Sequence, residues 1–206
     1  MKGKTRLDGQ AGCYGSLAAV FLLLWPAGAD AHLVSTGFGP FYDGVTHLAV
    51  SPDDLLSVLA IALLSGLCGA RHVRAVLFTL PAAWVVAGCL GLQRATEVSV
   101  PVANTLSFMV VGALVAVDLK VPWPLIVGLA VALGLFHGFL NGTAIAQGGG
   151  GVTALLGTSA AVFVVVALVA GFVVALRAAW ARVAVRVAGS WITAIGLLML
   201  GWAFRA

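Results

Sequence analysis

Residues 121–176 read VPWPLIVGLAVALGLFHGFLNGTAIAQGGGGVTALLGTSAAVFVVVALVAGFVVAL and contain no Asp, Glu, Lys or Arg. A bilayer needs about 20 apolar residues per helix, so this stretch is long enough for two. Gln147 and the run Gly148–Gly151 interrupt it and predict a flexible loop. Valine-rich runs also suit strands, but barrel strands are short and alternating, and backbone in lipid must bond within its own segment. The stretch therefore predicts two transmembrane helices, near 122–141 and 152–176.

The composition of the whole chain excludes a water-soluble fold. Of the 206 residues, 62% are hydrophobic and only 9% are charged, whereas a soluble domain carries about 25% charged residues. The 26 glycines show no G-X-Y period, and the net charge is only +4, so collagen-like and disordered classes are excluded as well. The basic residues are scattered between apolar runs, which argues against a nucleic-acid partner. The three cysteines show no metal-binding spacing.

Charged residues divide the rest of the chain into four more apolar segments of similar length. They lie near 54–70, 75–93, 100–117 and 187–204. Together with the first two, they predict an all-α polytopic bundle of six transmembrane helices. Within the third segment, we expect Asn104, Thr105 and Ser107 to hydrogen-bond to other helices or to line a pore.

The amino terminus has the three-part pattern of a secretory signal peptide. Its parts are basic residues within 2–6, an apolar stretch over 17–25, and the small residues of Ala29-Asp30-Ala31. We expect a signal peptide over 1–31 and a transmembrane domain over 32–206, with cleavage leaving His32 as the first mature residue. An uncleaved first helix over 9–29 is the alternative.

The basic residues predict the orientation of the bundle. Six of them follow the first, third and fifth segments, and two lie on the opposite side; the six are Arg71, Arg74, Lys120, Arg177, Arg182 and Arg186, and the two are Arg94 and Arg205. The positive-inside rule then places the six in the cytoplasm. We expect a bacterial inner-membrane protein whose mature termini both face the periplasm. Most acidic residues and three of the four histidines fall on the outer side.

Polar residues at the outer ends of two segments predict a metal-binding site. Ionisable groups at membrane depth are costly and usually functional, and imidazole with carboxylate suits nickel, cobalt, zinc, copper or iron. The candidate ligands are His32, His47, Asp53, Asp54, His137 and Asn141. Other interpretations stay open. Asp53 and Asp54 follow Ser51-Pro52 as an ordinary helix start does, and His137 and Asn141 are suited to hydrogen bonding across the bundle.

Small residues form a second pattern on the fourth segment. Gly134, Gly138 and Gly142 recur every four residues beside His137 and Asn141, which are also four apart. Such a stripe lets the backbone of another helix approach closely. The sequence therefore predicts close helix packing next to the candidate ligands.

Two short motifs give the chain a family likeness. Residues 47–54, HLAVSPDD, match a signature of the form H-x-x-x-G-x-D-H, and residues 136–142, FHGFLNG, match one like F-H-G-x-x-H-G. On these motifs the chain resembles the HupE/UreJ family, whose members are linked to hydrogenase and urease gene clusters and are regarded as secondary nickel or cobalt permeases. Ser51 stands where the first motif has glycine, and Asp54 and Asn141 stand where the family motifs have histidine. Fewer nitrogen donors favour harder metal ions.

These observations suggest secondary transport of a divalent metal, most simply nickel or cobalt, across the inner membrane for metalloenzyme maturation. His32, His47, Asp53 and Asp54 would capture the ion, and His137 with Asn141 would pass it into the bundle. The sequence contains no G-x-x-x-x-G-K-[ST] motif, so transport would be passive or coupled to a gradient. We expect no enzymatic activity and no tightly bound cofactor. The expected partners are the metal ion and membrane lipid, with a homo-oligomer or a metalloenzyme-maturation partner left open.

Two other functions remain as alternatives. A non-catalytic accessory subunit would dock a partner through the stripe at Gly134–Gly142 and the arginine-rich loop between the fifth and sixth segments. An intramembrane zinc hydrolase would use His47, Asp53, Asp54 and His137 around a zinc-bound water. The chain has no H-E-x-x-H or G-x-S-x-G motif to support the hydrolase.

Overall fold

A computed structural model describes residues 35–94, 96, 98–176 and 178–205. These residues form seven α-helices and no strand; the helices are α1 (Pro40–Val50), α2 (Pro52–Cys68), α3 (Ala70–Gly91), α4 (Pro101–Ala116), α5 (Trp123–Gln147), α6 (Val152–Ala175) and α7 (Ala179–Ala203). The all-α prediction is confirmed. The predicted leader over 1–31 and His32 lie outside the described residues.

Each of the six apolar segments predicted from the sequence corresponds to one helix, α2 to α7. Among the described residues, α3, α5, α6 and α7 are each long and apolar enough to cross a membrane. Helices α1 and α2 meet that criterion only together, with a bend of 77° between them, and α4 is shorter. The chain is thus a polytopic helical membrane protein. The number of six spans stays a prediction.

Three helix boundaries differ from the sequence prediction. α3 begins at Ala70 instead of near 75, α5 continues to Gln147 instead of ending near Asn141, and α7 begins at Ala179 instead of near 187. In all three cases the prediction places a helix end at a polar residue. Arg71 and Arg74 lie in the first turns of α3. Asn141 is instead buried inside the bundle, and Arg182 and Arg186 lie in the first turns of α7. The glycine loop at 148–151 separates α5 from α6 as predicted.

Helix α1 was not expected, and the sequence Ser51-Pro52 explains both its end and the bend that follows. A residue before proline is disfavoured in helical conformation, and Ser51 is extended at φ −100° and ψ 91°. Pro52 then occupies the first turn of α2, where its missing N–H costs nothing. The bend places the end of α1, with His47, beside the first turn of α2, with Asp53 and Asp54.

Helix α2 lies at the centre of the bundle and contacts all six other described helices. Its residues Ala60, Ile61 and Leu64 are completely buried. Around it, α3 packs most extensively on α5, α4 packs on α7, and α1 packs on α6. The first turns of α2 are therefore held among the ends of several helices.

The predicted glycine stripe forms the contact between α3 and α5, which confirms the expectation of close packing. A side chain at Gly134, Gly138 or Gly142 would collide with the α3 backbone, at Leu80, Trp84 and Gly88 respectively. Because α3 of the same chain covers this stripe, a partner cannot dock there. That part of the accessory-subunit hypothesis is wrong.

The opposite end of the bundle, which carries most of the basic residues, holds one well-formed ion pair. Asp118 follows α4 in the left-handed conformation at φ 55°. Its carboxylate accepts bonds from Nε and Nη2 of Arg182, at 2.6 and 2.5 Å. The hydrogen bond from Arg182 holds the pKa of Asp118 below its ordinary value. The pair joins the loop after α4 to the start of α7.

The ion pair predicts a pH-dependent effect of Asp118→Asn on stability. Because the pKa of Asp118 is lowered in the folded protein, the pair contributes stability above the ordinary carboxyl pKa of about 4, and this is lost as the pH falls through the folded value. Asparagine tolerates the left-handed conformation, so the substitution isolates the charge. We expect a loss of about 1 kcal/mol or less at neutral pH, given solvent screening, and no loss in acid. Thermal unfolding of both proteins against pH tests this; a pH-independent difference would contradict it.

Candidate functional site

Asp54, His137 and Asn141 form a buried cluster between α2 and α5. Nδ1 of His137 lies 2.7 Å from Oδ1 of Asp54, and the amide of Asn141 donates a hydrogen bond to Oδ2 of the same carboxylate. His137 is completely buried, and Asn141 is 3% exposed. One carboxylate therefore holds two side chains of α5 that are one helical turn apart.

Two serine hydroxyls face the other nitrogen of His137. Ser57 of α2 and Ser107 of α4 each place Oγ 2.9 Å from Nε2. The two Oγ atoms are themselves 3.2 Å apart. When Nδ1–H donates its hydrogen bond to Asp54, Nε2 has one lone pair, which accepts from the hydroxyl of Ser57. The ring is thereby held at both nitrogens by side chains of α2.

A second acidic side chain is tied to α4. The amide nitrogen of Asn104 donates a hydrogen bond of 3.2 Å to Oδ2 of Asp53. The hydroxyl of Ser107, whose Oγ lies beside Nε2 of His137, donates its one hydrogen to the backbone carbonyl of Asn104 at 2.6 Å. Asn104 thus bonds across helices as predicted, whereas Ser107 and Thr105 both donate to backbone carbonyls of their own helix.

An aromatic side chain on α3 covers the cluster. The indole of Trp84 stacks on the ring of His137, with centroids 5.9 Å apart and an interplanar angle of 15°. Trp84 is completely buried. The approach is possible because Gly138, next to His137, brings the two backbones together at Trp84. Neither Ser57 nor Trp84 belongs to a sequence motif, so no local pattern marks them as part of the cluster.

Four buried acceptor atoms near the two acids have no hydrogen-bond partner among the described residues, and the buried indole N–H of Trp84 over His137 has none either. The four acceptors are Nδ1 of His47, Oδ1 of Asp53, Oδ1 of Asn104 and Oδ1 of Asn141. His47 is 2% exposed and lies in the last turn of α1, which Ser51 joins to the first turn of α2 with Asp53 and Asp54. Unpartnered buried polar atoms are costly and need an explanation, such as a bound ion. All four atoms can donate a lone pair to a cation.

The structure brings together some of the predicted ligands and leaves others apart. Asp54, His137 and Asn141 are in direct contact. Asp53 precedes Asp54 at the start of α2, and His47 lies in the last turn of α1. His32 lies outside the described residues. In the described part of the chain, no three His, Cys, Asp or Glu side chains are grouped so that they could hold a metal ion.

Comparison with protein families assigns the chain. A family model described as HupE / UreJ protein matches residues 20–199, a span that contains both signature segments and all seven helices up to the last turn of α7. The chain belongs to the HupE/UreJ family. Comparisons with curated proteins and with solved structures find no match.

Family membership and fold together establish the general character of this HupE/UreJ protein. It is an integral membrane protein with a function related to nickel or cobalt transport. The two family signature segments are the ones that meet in the buried cluster, because Asp54 lies in the first and His137 and Asn141 lie in the second.

Proposed function

We propose that this HupE/UreJ protein carries a divalent transition metal, nickel or cobalt, across the bacterial inner membrane by secondary transport for metalloenzyme maturation. The observation that carries the proposal is the group of four unpartnered buried acceptor atoms around Asp53 and Asp54. These atoms lie at the end of the bundle that the positive-inside rule assigns to the periplasm. A cation entering from that side meets two carboxylates and oxygen or nitrogen lone pairs.

The hydrogen bonds around His137 resemble those of a typical metal-binding histidine. A histidine that binds a metal through one nitrogen usually donates its other N–H to a carboxylate, which fixes the ring and raises its basicity. Nδ1 of His137 has such a partner in Asp54. In this proposal Nε2 is the ligand, and Asp54 and Asn141 act mainly by holding the ring. Asn141 can fill this role although the family motif has histidine at its position.

The two serines give the empty and loaded site different hydrogen bonds. The hydroxyl of Ser57 donates to Nε2 of His137, and the Oγ of Ser107, whose own hydrogen goes to Asn104, is within bonding distance of Ser57. When a metal ion takes the lone pair of Nε2, the hydroxyls can bond each other, so neither is left without a partner. Binding and release of the ion then cost little in lost hydrogen bonds, which suits a site that must release its ion.

The break between α1 and α2 supports entry of a cation at this end. Broken helices in transporters direct helix ends at their ions, and the carboxyl end of a helix carries partial negative charge. His47 lies in the last turn of α1, at its carboxyl end, and Asp53 and Asp54 lie in the first turn of α2. His47 would therefore receive the ion before it reaches His137.

Metal accumulation in bacteria that lack their own nickel and cobalt uptake systems tests the proposal. We expect the wild-type protein to raise cellular nickel or cobalt, and His47→Ala and His137→Ala to reduce that gain by about tenfold or more. His72→Ala, at the basic end of the bundle, is the matched control and should accumulate metal normally. The amount of protein in the membrane is measured for each variant.

His137→Gln provides a second variant if His137→Ala does not reach the membrane. Metal binding by the purified wild-type protein, measured by titration, gives an independent result. Normal accumulation in both His47 and His137 variants would overturn the proposed pathway. A wild-type protein that neither binds nor accumulates either metal would overturn the transport function itself.

A further inference from the structure

Two adjoining cavities open at the basic end of the bundle, away from the buried cluster. The first has a volume of about 300 Å³ and lies where α2, α6 and α7 meet, with Gly66, Gly69 and Arg182 in its wall. The second has a volume of about 490 Å³ and an apolar wall that includes Leu63, Phe172 and Trp180. Three residues line both cavities: Val173, Leu176 and Val185. The two cavities therefore adjoin along these residues, and together they form the groove.

The two parts of the groove differ in chemistry as the two parts of a phospholipid do. The polar part carries the guanidinium of Arg182, whose side chain is 40% exposed. Its bonds to Asp118 use two of the five N–H donors of an arginine. The apolar part runs along α7 towards the middle of the bundle, through Ala184 and Ala188. Such a groove accepts a headgroup at one end and an acyl chain along its length.

The charge at this end favours an anionic headgroup. In the described part of the chain, this end of the bundle holds one acidic residue, Asp118, and five basic residues: Arg71, Arg74, Lys120, Arg182 and Arg186. Trp180 is 75% exposed next to the groove, and tryptophan is enriched at the level of lipid headgroups. Basic pockets between helices on the cytoplasmic side bind anionic lipid headgroups.

We propose that this groove is a binding site for one anionic glycerophospholipid of the inner leaflet. The phosphate group lies against Arg182, and one acyl chain lies in the apolar part between α2, α6 and α7. The lipid joins α7 to the central helix α2, which otherwise share a small contact. This site is independent of metal transport and of the cluster at His137.

Lipid binding to the purified protein tests the inference. Phosphatidylglycerol and phosphatidylcholine with identical acyl chains are compared by native mass spectrometry and by thermal stabilisation in detergent. We expect the wild-type protein to bind phosphatidylglycerol on the order of fivefold more tightly, since a basic group near the lipid surface contributes about 1 kcal/mol. Equal binding of the two lipids would overturn the proposal.

Two sets of variants separate the headgroup from the chain. Ala184→Trp fills the apolar part and should weaken both lipids, whereas Val183→Trp, at an exposed position that does not line the groove, should weaken neither. The double variant Asp118→Asn/Arg182→Gln removes a charge pair without leaving an unpaired acid, and should lose most of the preference for phosphatidylglycerol. Arg205→Gln, at the opposite end, should keep it.

Inorganic phosphate distinguishes a lipid from a free anion. We expect phosphate alone to give no stabilisation, because it leaves the apolar part of the groove empty. Stabilisation by phosphate equal to that by phosphatidylglycerol would show a simple anion site and overturn the lipid proposal. Full binding by Ala184→Trp would do the same.

Discussion

Asp54→Asn is expected to reduce nickel or cobalt accumulation by about tenfold or more, because outer partners of metal-bound histidines typically contribute that much. Asp54 accepts bonds from both His137 and Asn141. In the proposed site its carboxylate holds the ring of His137 in place, and its negative charge attracts the cation. The effect is therefore on metal binding by His137, not on the delivery of protein to the membrane.

The substitution tests the negative charge alone, because the hydrogen bonds around residue 54 can be kept. An amide has the shape of the carboxylate, and its oxygen can still accept from Nδ1 of His137. Its NH₂ group would then face Asn141, whose Oδ1 is without a partner among the described residues. If the amide of Asn141 turns over, that oxygen accepts the new donor. The charge is removed while the hydrogen bonding survives.

Asp43→Asn is the matched control. Asp43 lies in the first turn of α1, where it accepts two hydrogen bonds from Thr36, and it does not take part in the cluster. We expect Asp43→Asn to accumulate metal as the wild-type protein does, with similar unfolding temperatures for all three proteins. Wild-type accumulation by Asp54→Asn would show that the carboxylate is not needed for transport.

The length and composition of a membrane helix can be predicted from the sequence more reliably than its ends. The apolar segments were found because lipid imposes both a length and a composition on a helix. Their ends were less certain, since Asn141 is polar yet buried and Arg182 is charged yet helical. Helix α1 was missed because it is only 11 residues long and reaches membrane length only together with α2.

The contacts in the candidate site depend on packing that no local pattern encodes. Asp54 and His137 are 83 positions apart in the chain, and their motifs predicted the same outer end but not a direct bond. No pattern in the sequence around Trp84 predicts that it covers the cluster; only its position on α3 places it there. The glycine stripe at Gly134–Gly142 did predict a close neighbour. Which helix would fill that role followed only from the packing of α3 on α5.

Gly138→Leu is expected to prevent α3 and α5 from packing and to remove most of the folded protein. A side chain at Gly138 would overlap the backbone of Trp84, and a backbone cannot move aside as the tip of a flexible side chain can. Adding a few methylene groups to a packed core costs about 1–3 kcal/mol. The leucine side chain adds a larger volume than such an insertion, so it costs more. The loss is measured as the amount of folded protein after detergent extraction.

Gly138→Ala and Gly128→Ala give the graded comparison on the same helix. Alanine favours a helix over glycine by about 1 kcal/mol, and at Gly128 the new methyl group meets open space, so Gly128→Ala should be neutral or stabilising. At Gly138 the same gain is opposed by the collision with α3. We therefore expect a lower unfolding temperature for Gly138→Ala only. Metal accumulation should fall with it, because a shift of α5 also moves His137 away from Trp84. Equal stability of the two variants would mean that α3 and α5 do not meet at Gly138.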